Sequence, residues 1–120
     1  MAGKMLISLG TGMENAERVT IAFLVAGAAH QRGDSVAMWL TNEAVRLSLH
    51  GHAQGVACNG CPPLDPLFEQ FADRGGELLT CVIGFNARQL DEYEMVPNAR
   101  LVGAAPMLEW IKDGATVLSF

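Results

Sequence analysis

Three cysteines are the residues of this 120-residue chain best suited to covalent chemistry. Cys81 stands where an apolar run, Glu77-Leu-Leu-Thr-Cys-Val-Ile83, gives way to a polar, helix-compatible segment. That places a thiol at the carboxyl end of a buried strand, where open α/β sheets carry their sites. A helix starting there stabilises an anion, so the thiolate is favoured and the thiol is expected to be reactive. Arg88 lies about two turns further on and adds positive charge if it points back. The competing reading is a small apolar filler at the end of a core strand, since free cysteine is among the most buried residue types.

Cys58-Asn-Gly-Cys61 is the second candidate. A CxxC spacing serves a redox pair or half a zinc site. Pro62-Pro63 follows it, so Cys61 falls in extended chain rather than at a helix start. His50, His52 and Cys81 are the nearby candidates to complete a zinc set, but HxHx5CxxC is not a recognised zinc module, and a reversible disulfide, Cys58–Cys61 or loop–Cys81, is the preferred reading. No metal or cofactor is expected. Gly10-Thr11-Gly12 follows the first apolar run. It lacks the third glycine of a dinucleotide loop and the Gly-Lys pair of a nucleotide-phosphate loop. Glu14 puts negative charge where an anion would sit, so a tight strand-to-helix turn is expected. His30, near a helix end, is read as an imidazolium facing the dipole. No Ser/His/Asp set or pair of apposed carboxylates can be assembled.

These residues need a frame. The length suits one domain. Lys4–Leu9, Ser35–Leu40, Glu77–Val82, Arg100–Gly103 and Ala115–Phe120 read as strands. Helices are expected over Ala16–Arg32, capped by Asn15 and stopped by Gly33; from Thr41 or Asn42 to about Leu49; from Asp65 as cap, with Pro66 at its first position, to Gly75; over Phe85–Glu94; and over Pro106–Lys112. Strands alternating with helices argue a parallel sheet covered on both faces. The segment from His50 to Pro63 is left as a long loop, a kind that is commonly functional.

Composition removes other classes. The net charge of −5, with eight scattered Lys and Arg residues, excludes a basic face for nucleic acid. The longest apolar stretch, Val19–Ala29, is interrupted by Thr20 and Gly27 and falls short of the ~20 residues of a membrane span. No secretory leader is apparent, and the odd cysteine count fits a reduced, cytoplasmic thiol protein. Half the residues are hydrophobic and the mean hydropathy is +0.22. Val19–Ala29 is apolar nearly all round, so a partner subunit is expected to cover part of it.

Taken in order, Gly10-Thr-Gly12 with Glu14-Asn-Ala-Glu-Arg18, Thr41-Asn-Glu-Ala-Val45, Gly75-Gly-Glu-Leu-Leu-Thr-Cys81, Leu101-Val-Gly-Ala-Ala-Pro-Met107 and Asp113-Gly114 resemble the DsrE/DsrF-like family over nearly the whole length. The resemblance implies a three-layer α/β/α sandwich on a mostly parallel five-stranded sheet, assembled as a homo-oligomer from dimer to hexamer. It implies a sulfur relay in which Cys81 accepts sulfane sulfur as a persulfide and passes it to a partner thiol. A sulfur donor or acceptor protein would be the partner. Cys58 and Cys61 lie outside that relay pattern and are assigned a resolving or redox part. Gly10, Thr11, Gly12, Asn86 and Arg88 are expected to line the cleft at the strand ends. The alternative is a non-catalytic oligomeric protein that binds a small ligand in that cleft, with Cys81 merely lining it.

Overall fold

A computed structural model describes residues 3–120. Five strands form one all-parallel sheet: β1 (Lys4–Leu9), β2 (Ser35–Leu40), β3 (Glu77–Cys81), β4 (Ala99–Val102) and β5 (Thr116–Ser119), in the order β4-β3-β2-β1-β5. The helices are α1 (Ala16–Gln31), α2 (Leu64–Asp73), α3 (Val82–Ala87) and α4 (Ala105–Lys112). The sandwich expected from the alternation of strands and helices is the fold observed, and the sheet is parallel throughout.

Side chains alternate between two cores because strand residues point to opposite faces. Met5, Ile7 and Leu9 of β1 join Val36, Met38 and Leu78 against α1 and α2. Leu6, Ala37 and Leu79 face the other way and pack with Met107 and Trp110 of α4. Both faces are apolar, which is why the strands read as continuous rather than alternating runs. Phe23 of α1 lies 5.5 Å from both Phe68 and Phe71 of α2, tilted on one and edge-on to the other.

Helix ends follow one device. The N–H of Gly33 donates to His30 O and that of Asp34 to Ala29 O; Gly75 and Gly76 repeat the pair onto Ala72 and Phe71, and Gly114 and Ala115 onto Ile111 and Trp110. These are paired 5→2 and 6→1 closures that need a left-handed residue, supplied by glycines with φ from +83° to +97°. Gly76 is needed for a further reason: a Cβ there would lie 2.6 Å from the Phe71 ring.

Asn15 caps α1, its side chain accepting the Arg18 N–H at 3.3 Å as expected. Other boundaries differ. Thr41 makes no side-chain cap, and residues 42–48 form a 3-10 helix. Helix α2 begins at Leu64 with Pro63 before it, so Asp65 lies in the first turn rather than at the cap. The helix expected over Phe85–Glu94 starts earlier, at Val82, and stops at Ala87. The same closure ends it, with the Gln89 N–H on Asn86 O and the Leu90 N–H on Phe85 O. Here the left-handed residue is Gln89, at φ +54°.

His30 also departs from expectation. Its ring lies 5.5 Å from that of Phe71, and both ring nitrogens are shielded without a hydrogen-bond partner. Burial and then the Arg74 charge hold its pKa below the usual 6.5, against the opposing pull of Asp34. The ring is therefore kept neutral rather than offered to the dipole as a cation. His52 is lowered as well, by burial and then by Arg46, opposed by Glu43.

Two predictions arise here. Replacing Gln89 by Gly removes a left-handed side chain and should stabilise the chain by roughly 0.5–1 kcal/mol in urea unfolding. The histidines bind protons more readily when unfolded. Their contribution is thus complete above the ordinary pKa of 6.5 and falls as pH drops below it toward the folded values. The urea midpoint should decrease from about pH 7.5 to about pH 5.5, and His30→Gln should flatten that slope.

Candidate functional site

The carboxyl ends of β1, β2 and β3 lie side by side because the strands pair in parallel register, Leu9 beside Leu40 and Leu40 beside Thr80. Each is followed by a turn carrying predicted site residues: Gly10-Thr11-Gly12, Thr41-Asn42-Glu43 and Cys81 through Gly84. Close backbone approach joins the first two. A Cβ on Gly12 would lie 2.7 Å from the Glu43 carbonyl oxygen, and one on Gly10 would lie 3.6 Å from both the Asn42 amide and the Thr41 hydroxyl. The Gly12 N–H donates to the Glu14 carboxylate. That side chain occupies the position an anion would take, so the turn is satisfied from within. The Thr11 hydroxyl is shielded and has no partner.

Cys81 closes β3, pairs with Val102 of β4 and stands at the N-cap of α3. It is half-buried, and it is the free cysteine. Its side chain makes no cap bond to the helix. The N–H groups of the first turn of α3 therefore have neither an intrahelical acceptor nor this side chain as one. Ile83, next but one, is 78% exposed. Cys81 thus lies at the carboxyl end of β3, at the N-cap of α3 and two residues before the exposed Ile83.

Arg88 does fold back, but toward a carboxylate. Its Nε donates to Glu43, and its Nη1 donates to Gly84 O at 3.0 Å. Glu43 also accepts from Arg46 Nε at 2.9 Å. The Arg88 bond, and then that of Arg46, hold the Glu43 carboxyl below the usual carboxylate range. One guanidinium thereby ties the first turn of α3 to the 3-10 helix over 42–48. Gly84 fits tightly there, since a Cβ on it would lie 3.3 Å from Val45. Glu43 and Arg46 are the members of this cluster that sequence reasoning missed. Their three-residue spacing was a signal for their own pair alone. Asn86 is exposed on α3.

The loop from His50 to Pro63 is partly ordered by a 3-10 turn at Ala53–Gly55. A Cβ on Gly55 would meet Met13 at 3.0 Å, so the loop rests on the turn after β1. Cys58 and Cys61 are joined as a disulfide, with Cα atoms 5.3 Å apart and a turn through Gly60 at φ +80°. The zinc alternative finds no support: among the described residues no group of three or more His, Cys, Asp or Glu is placed to hold a metal ion. Nor is any helix of the described residues long and apolar enough to cross a membrane.

A concavity of about 490 Å³ lies elsewhere, between the start of α1 and the end of β5, lined by Asn15, Glu17, Arg18, Ile21, Ser119 and Phe120. Another of about 240 Å³ lies between the His50–Gln54 loop, α2 and Val96–Asn98. Cys81 lines neither.

Two solved structures share this architecture. The ychN protein from E. coli superposes with a TM-score of 0.80 at 14% identity, covering all of both chains. MTH1491 from Methanobacterium thermoautotrophicum, a protein of unknown function, superposes with a TM-score of 0.72 at 9% identity over 98% of this chain and 99% of that one. At such identities the likeness establishes the fold alone. No curated protein matches the sequence. The DsrE/DsrF-like family model, however, matches residues 3–120, and the protein belongs to that family.

Proposed function

We propose that the protein is a sulfur carrier in which Cys81 holds sulfane sulfur as a persulfide. The observation that carries this reading is the placement of a free, half-buried thiol at the carboxyl end of β3, before the first turn of α3. The Cys81 thiolate attacks the outer sulfur of a donor persulfide. A new S–S bond forms to Cys81, the donor's S–S bond breaks, and the donor departs as a thiolate. Transfer to an acceptor thiol repeats the exchange in the opposite sense, with no net oxidant. The chain's own groups supply position: Arg88 fixes the turn, and the open strand end admits the donor. Cys58 and Cys61, joined to each other, leave Cys81 as the thiol for transfer; only as reduced thiols would they resolve or protect it. The setting is cytoplasmic, with a thiol-bearing donor or acceptor protein as partner and the chain assembled as a homo-oligomer.

A second reading is a non-catalytic binding protein. The concavity beside Arg18, apart from Cys81, favours it. The two readings separate on one experiment. Incubation of the reduced protein with a low-molecular-weight persulfide should add one sulfur atom to the Cys81 peptide. Cys81→Ser should abolish that gain while remaining folded, and the Cys58→Ser, Cys61→Ser double variant should retain it. Equal loading of Cys81→Ser would transfer the proposal to the binding reading. Arg88→Ala should slow loading roughly 10-fold, because misplacing a reacting group costs rate steeply. Arg88→Lys should recover little of it, since a point charge cannot reach Glu43 and Gly84 O in the same fork geometry. A loading rate unchanged in both Arg88 variants would show that the tie does not position Cys81.

A further inference from the structure

Where the strand order reverses, the sheet leaves a crevice whose charged groups have no partners. It lies outside the carboxyl ends of β1 and β5, between Ser119 and Phe120 on one wall and the first turns of α1 on the other. Its volume of about 490 Å³ falls within the range of small-molecule sites, roughly 300–1,000 Å³. Both walls are fixed. Phe120 donates its N–H to Ser8 O at 2.8 Å, its carbonyl accepts from the Gly10 N–H at 3.1 Å, and it packs against the core that α1 shares. The α1 wall is held by its Asn15 cap. A ligand would meet a crevice already formed, which lowers the cost of binding.

Glu17 and Arg18 both line this crevice, and neither belongs to an ion pair of the described residues. They do not neutralise each other, because consecutive helix residues project about 100° apart. Ile21 lies four positions after Glu17 and three after Arg18, so the two charges flank it on one side of α1. Ile21 is 41% exposed, and Phe120 adds apolar surface from the other wall. The Asn15 side-chain oxygen accepts the Arg18 N–H, which leaves its NH2 group free to donate into the crevice. One cavity thus presents a cation, an anion, an amide donor and an apolar floor.

We propose that this crevice binds a small zwitterion with an apolar tail, an α-amino acid with an alkyl side chain. The carboxylate meets the Arg18 guanidinium and the Asn15 amide, the ammonium meets Glu17, and the side chain lies over Ile21 and Phe120. The pairing of signs selects the class. A simple carboxylate would bring a second negative charge beside Glu17, and a simple amine a second positive charge beside Arg18; a ligand that carries both gives each residue its opposite. Carboxylate on guanidinium is also among the stronger charge-assisted hydrogen bonds. The proposal names a ligand class for the concavity on which the binding reading rests. It holds whether or not Cys81, which does not line the crevice, carries sulfur.

The test is titration of the full chain with L-norleucine, read by calorimetry and by amide chemical shifts. Binding should saturate and should move the Ile21 and Ser119 amides. Hexanoate is norleucine without its ammonium, and n-pentylamine is norleucine without its carboxylate; each should bind roughly 10-fold more weakly or worse. Arg18→Gln should weaken norleucine by about the same factor and leave n-pentylamine no weaker. Glu17→Gln should likewise weaken norleucine and leave hexanoate no weaker. Cys81→Ser should bind norleucine as the unaltered chain does. The comparison of the three probes needs no variant, so it stands even if a substitution disturbs the fold. Hexanoate or n-pentylamine binding as tightly as norleucine at the same amides would overturn the zwitterion and leave the binding reading intact. Norleucine that fails to saturate at millimolar concentration, or that moves only amides away from α1 and β5, would overturn the proposal and take the concavity from that reading as well. Neither outcome bears on persulfide loading of Cys81, which is measured apart.

Discussion

The whole arrangement depends on how the chain reverses direction around β1. From β1 it steps outward through β2 and β3 to β4, then returns across the sheet to place β5 on the far side of β1. Parallel crossovers are right-handed almost without exception. A chain that steps one way therefore lays its helices on one face, and a chain that steps back lays them on the other. Helices α1 and α2 accordingly share the larger core, and α4 alone covers the smaller one. The reversal also brings the ends of β1 and β5 together at the start of α1, where the larger concavity opens. Open α/β sheets characteristically offer crevices at such reversals.

The same constraint explains the uneven covering of the sheet. Two helices pack over β1, β2 and β3 on one side, with the Phe23, Phe68 and Phe71 rings filling the space between them. The other side has a single eight-residue helix, held to β1 by the Lys4–Asp113 ion pair at 3.2 Å and by Lys4 above the Trp110 ring. Both contacts are solvent-exposed or partly so, and such pairs contribute little individually. α4 is placed mainly by Met107 and Trp110 on Leu6, Ala37 and Leu79. Beyond its reach all four residues of β5 remain exposed.

Much of this was legible in the sequence, and the exceptions have physical causes. Strands β1 and β2 were read to the residue because apolar runs bounded by turn residues leave little choice. Gly33, Gly75 and Gly114 announced their turns because glycine alone adopts the left-handed conformation without cost. α3 was misread because Gln89 takes that conformation and nothing in its side chain signals it. His30 was misread because a ring at a helix end looks solvated until Phe71, more than 40 positions on, is packed against it. Cys81 could be found from its place in an apolar run, and Gly10 and Gly12 from their spacing. The Glu43–Arg88 tie could not, because it links two turns 45 residues apart and owes its existence to the pairing of β2 with β3.

That tie bears on what the strand ends can do. A guanidinium near a thiol would ordinarily be taken as the source of positive charge for a thiolate. Here Arg88 is committed to the Glu43 carboxylate and the Gly84 carbonyl, and Glu43 is shared with Arg46. The cluster holds two cations and one anion, and its geometry points the charges at one another. What the tie does is therefore mechanical: it anchors the first turn of α3 to the 3-10 helix over 42–48. The first-turn N–H groups of α3 have no intrahelical acceptor. A short helix supplies such donors as well as a long one does, since they belong to its first turn. The turn must then be held still for the donors to remain aimed at one place. On this view α3 can end as early as Ala87 without loss, because the chain needs from it a fixed first turn and the guanidinium that comes immediately after its last residue.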